Sequence, residues 1–235
     1  MISKVKMQVY ITILIMFSAL TTISCEKENK PLFTLDQPVT DIDGNVYNTI
    51  KINNQIWMAE NLKTKKYNNG DLIGTTIPPN SDISNEPSPK YEWAYDGNES
   101  NMTIYGLLYT WYSVNDDRKL CPTGWHVPTD TEWKILTEFL GGDSIAGGKL
   151  KQTGTTYYFA PNLGATNESG FTALPSGLRY ATGVFYSLGD GPIWWTSTEF
   201  DNNNAIFRSL GYSGKAIRRD YFPKNNGMAI RCIKD

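Results

Sequence analysis

Histidine occurs once in the chain, at His126, and cysteine only three times, at Cys25, Cys121 and Cys232. A multi-histidine iron site cannot be assembled from one imidazole, and a cysteine-based copper site would need its few sulfurs free and close together. Basic residues are not in excess: 22 Lys and Arg stand against 24 Asp and Glu. Nucleic acid is therefore excluded as a partner, since it calls for a basic stripe. Apolar runs are short as well. The one near the N-terminus, Val9 to Leu20, is too brief for a membrane span.

That run follows Lys4 and Lys6 and leads through small and polar residues to Ser24-Cys25, the pattern of an export signal over residues 1–24. A cysteine at the end of such a segment resembles the lipobox of bacterial lipoproteins, which implies that Cys25 is lipidated and becomes the first mature residue. Thr22 stands where such boxes more often carry Leu. Several acyl chains on one terminus would hold the protein to a membrane stably. Loss of residues 1–24 removes Lys4 and Lys6 and no acids, so 22 less 2 leaves 20 basic against 24 acidic residues. Two cysteines then remain, and in an exported protein an even pair reads first as a disulfide, here Cys121 with Cys232. Residues 25–40 are charged and proline-containing with little apolar pattern, which predicts a tether. From Asp41 to Asp235 the length suits one domain.

Within 41–235 the elements announce themselves unevenly. Val46, Ile50, Ile52, Ile56 and Trp57 predict an opening hairpin that turns at Asn53-Asn54. Residues 66–102, rich in Asn, Pro, Ser and Gly, predict a long surface excursion pinned by Tyr91, Trp93 and Tyr95. Ile104, Leu107, Leu108, Trp111 and Tyr112 recur at helical spacing and predict a helix from Thr103 to Val114. Gly124 to Pro128 should be extended. A second helix then starts at Thr129, which can form a capping box with Glu132; Trp133, Leu136, Phe139 and Leu140 make its apolar face, and Gly141-Gly142 end it. A short helical piece at Ser144 to Lys151 precedes a series of short strands joined by turns. Helices followed by such a meander predict an α+β fold.

The segments DIDGNVYNTIKINNQIWMAENL, YGLLYTWYSV, CPTGWHVPTDTEWKIL, GFTALPSGLRY, WWTSTE and GMAIRCIKD together resemble the Fibrobacter succinogenes major paralogous domain, a family of exported bacterial proteins, many of them lipoproteins. The resemblance spans 41–235. More distantly, VPTDTEW with the late aromatic strands and a final G-x-x-x-R-C resembles the formylglycine-generating-enzyme branch of the C-type lectin fold. This implies a C-type lectin-like domain with two helices flanking a twisted, mostly antiparallel sheet and long loops. It also implies that strands near the two termini pair with the strand entering the second helix, which would bring Cys121 to Cys232, and that the region from Ser176 to Asn226 carries the ligand.

No catalytic residue is assigned. His126 between Trp125 and Val127 reads as a packed, hydrogen-bonded residue, and Asp130 and Glu132 are accounted for by the first turn of a helix. The ligand-binding candidates are Arg179, Tyr180, Trp194, Trp195, Glu199, Asn202, Asn203, Arg208, Tyr212, Arg218, Arg219 and Tyr221, because aromatic faces beside Arg and Asn suit a glycan or a protein. Alternation along a strand sends Trp194 and Trp195 to opposite sides, one to the core and the other to a surface, where it is either covered by a loop or available to a ligand. No cofactor is required. Calcium is the one the loops would admit, through the oxygens of Asp190, Glu199 and Asp201. The Glu-Pro-Asn signature of sugar-binding C-type lectins is absent: Glu86-Pro87 is followed by Ser88.

These features lead to an expected noncatalytic envelope protein, exported and lipid-anchored to the bacterial cell surface, with the outer membrane as its place. Its lectin-like domain would bind an extracellular glycan or protein. A sulfatase-modifying-type enzyme of the same fold and a structural component of a surface assembly are the alternatives.

Overall fold

The computed structural model describes Pro31–Asp235; the expected export signal and the expected lipidation at Cys25 lie outside the described residues. Among the described residues, thirteen strands, all paired antiparallel within their sheets, and four α-helices give a mixed α+β architecture of three sheets. No helix among the described residues is long and apolar enough to cross a membrane.

The first sheet is opened by β1 (Phe33–Thr40), β2 (Val46–Ile52) and β3 (Gln55–Met58). The β2-β3 turn falls at Asn53-Asn54 as expected, with Asn53 at φ 55°, the conformation that tight hairpin turns require. The tether expected over 25–40 is shorter than its composition implied. Phe33–Thr40 pairs with β2, and Phe33 packs against the core, so chain proximity and one aromatic anchor outweigh the polar composition.

The predicted surface excursion holds β4 (Glu92–Trp93) and a single 3-10 turn at Tyr95–Gly97. The helix expected over 103–114 is not formed. The chain instead runs through α1 (Glu99–Tyr105), β5 (Leu108–Thr110) and α2 (Trp111–Val114). Gly106 is the cause: it sits at φ 78°, and a Cβ there would lie 2.7 Å from that of Asn61. Its backbone breaks the helical period and lets Leu108 to Thr110 enter a sheet.

After β6 (Trp125–His126) comes α3 (Asp130–Phe139), whose start carries the predicted capping box. Trp133, Leu136 and Leu140 are buried as expected, whereas Phe139 is 41% exposed. Next are α4 (Asp143–Leu150), β7 (Ser176–Arg179), β8 (Phe185–Leu188), β9 (Ile193–Glu199), β10 (Asn204–Leu210), β11 (Ile217–Pro223), β12 (Gly227–Met228) and β13 (Ile233–Lys234).

The sheets run β1-β2-β3-β13-β6, β4-β5-β12-β7-β8 and β11-β10-β9. The last strand is thus an inner strand: Ile233 faces Trp57 on one side and His126 on the other. That pairing brings the residue before it, Cys232, to Cys121, and the two form a disulfide with Cα atoms 6.0 Å apart.

Trp194 and Trp195 do face opposite sides, and both are fully buried, so of the two alternatives the covered one holds and neither is available to a ligand, which corrects their place among the ligand-binding candidates. Trp194 packs on Trp133 and Phe171, while the Trp195 indole donates to the Tyr109 carbonyl at 2.9 Å. Strand β9 is covered on both faces, which alternation alone does not reveal.

Candidate functional site

His126 is held from both sides. Its Nδ1 lies 2.6 Å from Asp235 Oδ1 and its Nε2 lies 2.9 Å from Glu132 Oε1. Glu132 is itself anchored, accepting from the Thr129 backbone at 2.7 Å and from the Thr129 hydroxyl at 2.8 Å. With both ring nitrogens engaged by carboxylates, the imidazole has no free lone pair with which to take a proton from a substrate. It joins the chain's last residue to the first turn of α3.

Burial acts to lower the His126 pKa, but the hydrogen bonds it donates to Asp235 and Glu132 outweigh it and raise the group above its ordinary value of 6.5. Burial likewise acts to raise Glu132, and the bonds from Thr129 and His126 reverse it, so the carboxyl falls below 4.5. A raised histidine stabilises the fold fully below 6.5, and this contribution disappears as pH rises through the folded value. A depressed carboxyl stabilises above 4.5, and its contribution disappears as pH falls through its own folded value. Thermal melts from pH 4 to 9 should therefore show the wild type losing stability on the alkaline side of 6.5, and His126→Ala should flatten that limb. Glu132→Ala should cost about 1 kcal/mol near pH 6 through loss of the cap. An alkaline limb unchanged in His126→Ala would refute the assignment. The effect is modest because the imidazole is 37% exposed.

Of the predicted ligand residues, several arginines prove to be internal fasteners. Arg179 is fully buried. Its Nε and Nη2 donate to the Pro79 carbonyl at 3.0 and 2.9 Å, its Nη1 donates to the Tyr180 carbonyl, and its guanidinium lies 4.0 Å from the Trp93 ring. Burial presses its pKa down to about 10. Arg208, 2% exposed, donates to Asp130 Oδ1 at 3.0 and 2.6 Å, and Arg219 donates to Asp130 Oδ2 at 2.8 Å. Arg179, Arg208 and the two tryptophans are not free to meet a ligand, whereas the Arg219 side chain is partly exposed although its Nε is engaged.

The oxygen donors considered for calcium are engaged separately. Glu199 pairs with Lys224, and Asp201 accepts from the Asn203 and Asn204 backbones, both at 2.8 Å, closing its own turn. Asp190 lies elsewhere, and among the described residues no group of three or more His, Cys, Asp or Glu could hold a metal ion. Asn202 is exposed, and its carbonyl accepts from Lys224 Nζ at 2.8 Å. Tyr212 lies half-buried, edge-on to Phe159, and Tyr221 stacks on Phe200 with centroids 4.0 Å apart.

Two of the candidates meet in one place. Tyr180 and Asn203 line a cleft of about 530 Å³ together with Tyr112, Phe222, Asn225 and Asn226. The site is built from the end of β7, the loop around Glu86, α2 and the turn after β11. Its walls are fastened to each other: Asn226 Oδ1 accepts from the Ala181 amide at 2.9 Å, its Nδ2 donates to the Pro223 carbonyl at 2.7 Å, and Asn225 Nδ2 donates to the Glu86 carbonyl at 3.0 Å. Tyr180 and Phe222 rings lie 6.0 Å apart. The Tyr112 and Tyr180 hydroxyls and the Asn203 carboxamide make no hydrogen bond to any described residue. Flat apolar faces beside unengaged donors are therefore presented in a pre-formed cavity.

The sequence reading missed Tyr112, Phe222, Asn225 and Asn226. Tyr112 was absorbed into an apparent helical stripe, and the Asn pair resembled an ordinary turn.

The family model described as the Fibrobacter succinogenes major domain matches residues 50–234. The chain belongs to that family. Neither a curated protein nor a solved structure matches it.

Proposed function

We propose, starting from membership of this family, that the protein is a noncatalytic, lipid-anchored envelope protein whose domain binds an extracellular glycan or protein, with a C-type lectin-like arrangement as its architecture. The observation that carries this reading is the cleft of Tyr112, Tyr180 and Phe222. Three aromatic faces, two unengaged phenols and one unengaged amide are the means by which a sugar ring or an exposed peptide loop is stacked and oriented. The inner position of β13 beside β6 is what a lectin-like fold requires, and it supports the finer architecture. The rival enzyme reading needs two reactive sulfurs, and Cys121 and Cys232 are bonded to each other. Lipidation at Cys25, outside the described residues, would place the site beyond a membrane surface.

A glycan and envelope-protein array with the chain from Glu26 onward tests the binding role. Any ligand found should lose five- to tenfold affinity, about 1 to 1.4 kcal/mol, in both Tyr180→Ala and Phe222→Ala, measured well below each variant's melting temperature because both rings also pack against the core. A ligand whose affinity ignores both substitutions would remove the cleft from the proposal.

A further inference from the structure

A second cavity, of about 410 Å³, opens at the other end of the same sheet face. Across β11, β10 and β9 the residues Arg218, Ser209 and Ile193 stand opposite one another in register. All three line this cavity, with Phe207 beside Ile193 as its apolar floor and Asp190 on the wall.

The two charged side chains here are unlike most in the molecule. Asp190, half-buried, and Arg218, exposed, both line the cavity, yet among the described residues they form no ion pair with each other. Among the described residues the Asp190 carboxylate accepts no hydrogen bond and the Arg218 guanidinium donates none. The Ser187, Ser209 and Ser213 hydroxyls are equally unengaged, although Ser209 is only 9% exposed. Opposite charges held apart over an apolar floor leave a cavity with two poles.

The wall is stiff as well as polar. Lys151 is fully buried, and its ammonium donates to the carbonyls of Leu163, Gly211 and Gly214 at 3.0, 3.1 and 2.8 Å, fixing the 211–214 turn from beneath. Burial lowers that ammonium to about 8. On the opposite side Ser187 takes φ 65°, uncommon for a residue with a side chain, and its carbonyl accepts from the Asp190 amide at 3.1 Å. Gly211 leaves the carboxylate uncovered: a Cβ there would stand 3.7 Å from Asp190 Oδ1.

We propose that this cavity binds a small zwitterion with an apolar side chain, an α-amino acid or a short peptide, its ammonium on Asp190, its carboxylate on Arg218 and its side chain over Ile193 and Phe207. A neutral sugar would leave both charges without a counterpart, and a simple anion or cation would satisfy one and meet repulsion from the other. The cavity is distinct from the aromatic cleft, so the two assignments stand or fall separately.

Calorimetric titration of the full chain in detergent with leucine, leucyl-leucine, N-acetylleucine and leucinamide tests it. Leucine or the dipeptide should bind saturably, and which of the two binds more tightly identifies the source. N-acetylleucine, lacking the ammonium, and leucinamide, lacking the carboxylate, should each bind at least tenfold more weakly than leucine. Asp190→Asn should abolish the preference over N-acetylleucine and Arg218→Gln the preference over leucinamide. Neither side chain holds a structural contact, so both variants should melt as the wild type does. Failure of leucine and leucyl-leucine alike to bind saturably, or binding indifferent to the blocked termini, overturns the proposal.

Discussion

Cys121→Ser/Cys232→Ser should unfold at markedly lower denaturant than the wild type, with a loss of about 4 to 5 kcal/mol, and reduction of the native protein should reproduce most of it. The bond spans a sequence separation of 111 residues. In the chain-entropy account, a closed loop of that size restrains the unfolded ensemble by about 4.7 kcal/mol. The cross-link also falls where it is structurally informative. Cys121 lies at the entry to β6 and Cys232 precedes β13, so the bridge joins the segment leading into α3 to the chain's end. Both residues are buried, 1% and 0% exposed, so the serine hydroxyls add a desolvation cost that Cys121→Ala/Cys232→Ala would avoid. Urea unfolding with and without reductant decides the matter; a difference under about 1 kcal/mol would show that this loop is restrained by something else.

A single amide should matter nearly as much. Asn61 is 5% exposed and serves three partners: its Nδ2 donates to the Tyr105 carbonyl at 2.9 Å, and its Oδ1 accepts from Trp194 Nε1 at 2.9 Å and Arg231 Nε at 3.0 Å. Arg231 has no ion pair among the described residues. Its other acceptors are the Met58 and Phe171 carbonyls, and its guanidinium lies 4.4 Å from the Phe171 ring. Burial lowers its pKa to about 9, a sign of how much its charge depends on these contacts.

Asn61→Leu should therefore cost about 4 kcal/mol, because each buried group left without a partner costs about 1 to 3 kcal/mol and the charged one lies at the upper end. The double variant Asn61→Leu/Arg231→Met should cost clearly less than the sum of the two single variants, since part of the damage in each is the orphaned partner. Denaturant midpoints for the four proteins give the coupling directly. Strict additivity would mean that the contact carries no coupling energy.

Local chemistry was legible wherever one stretch of chain contained all the participants. The β2-β3 turn needed only Asn53-Asn54, and the cap of α3 needed only Thr129 and Glu132. The disulfide needed only a count of sulfurs and the expectation of export. The helix expected over 103–114 fails within a local window too, because Gly106, at φ 78°, interrupts the helical period that the apolar spacing implies. The tether failed at Phe33, a lone aromatic whose place in the core depends on strands that follow it.

The amino-acid sequence by itself determined the α+β class, the start and apolar core face of α3, the Cys121-Cys232 bond and membership of a family that spans residues 50–234. These rest on short-range patterns or on composition. Only the tertiary structure decided which polar and aromatic residues face outward. Arg179, Arg208 and Arg231 find acceptors 100, 78 and 170 residues away in the chain, and no window of sequence shows that such acceptors converge. The same reason moved Trp194 and Trp195 inside and brought Tyr112, Tyr180, Phe222 and Asn203 into one cleft. Burial is a property of what lies opposite a side chain, and what lies opposite is set by the packing of distant segments.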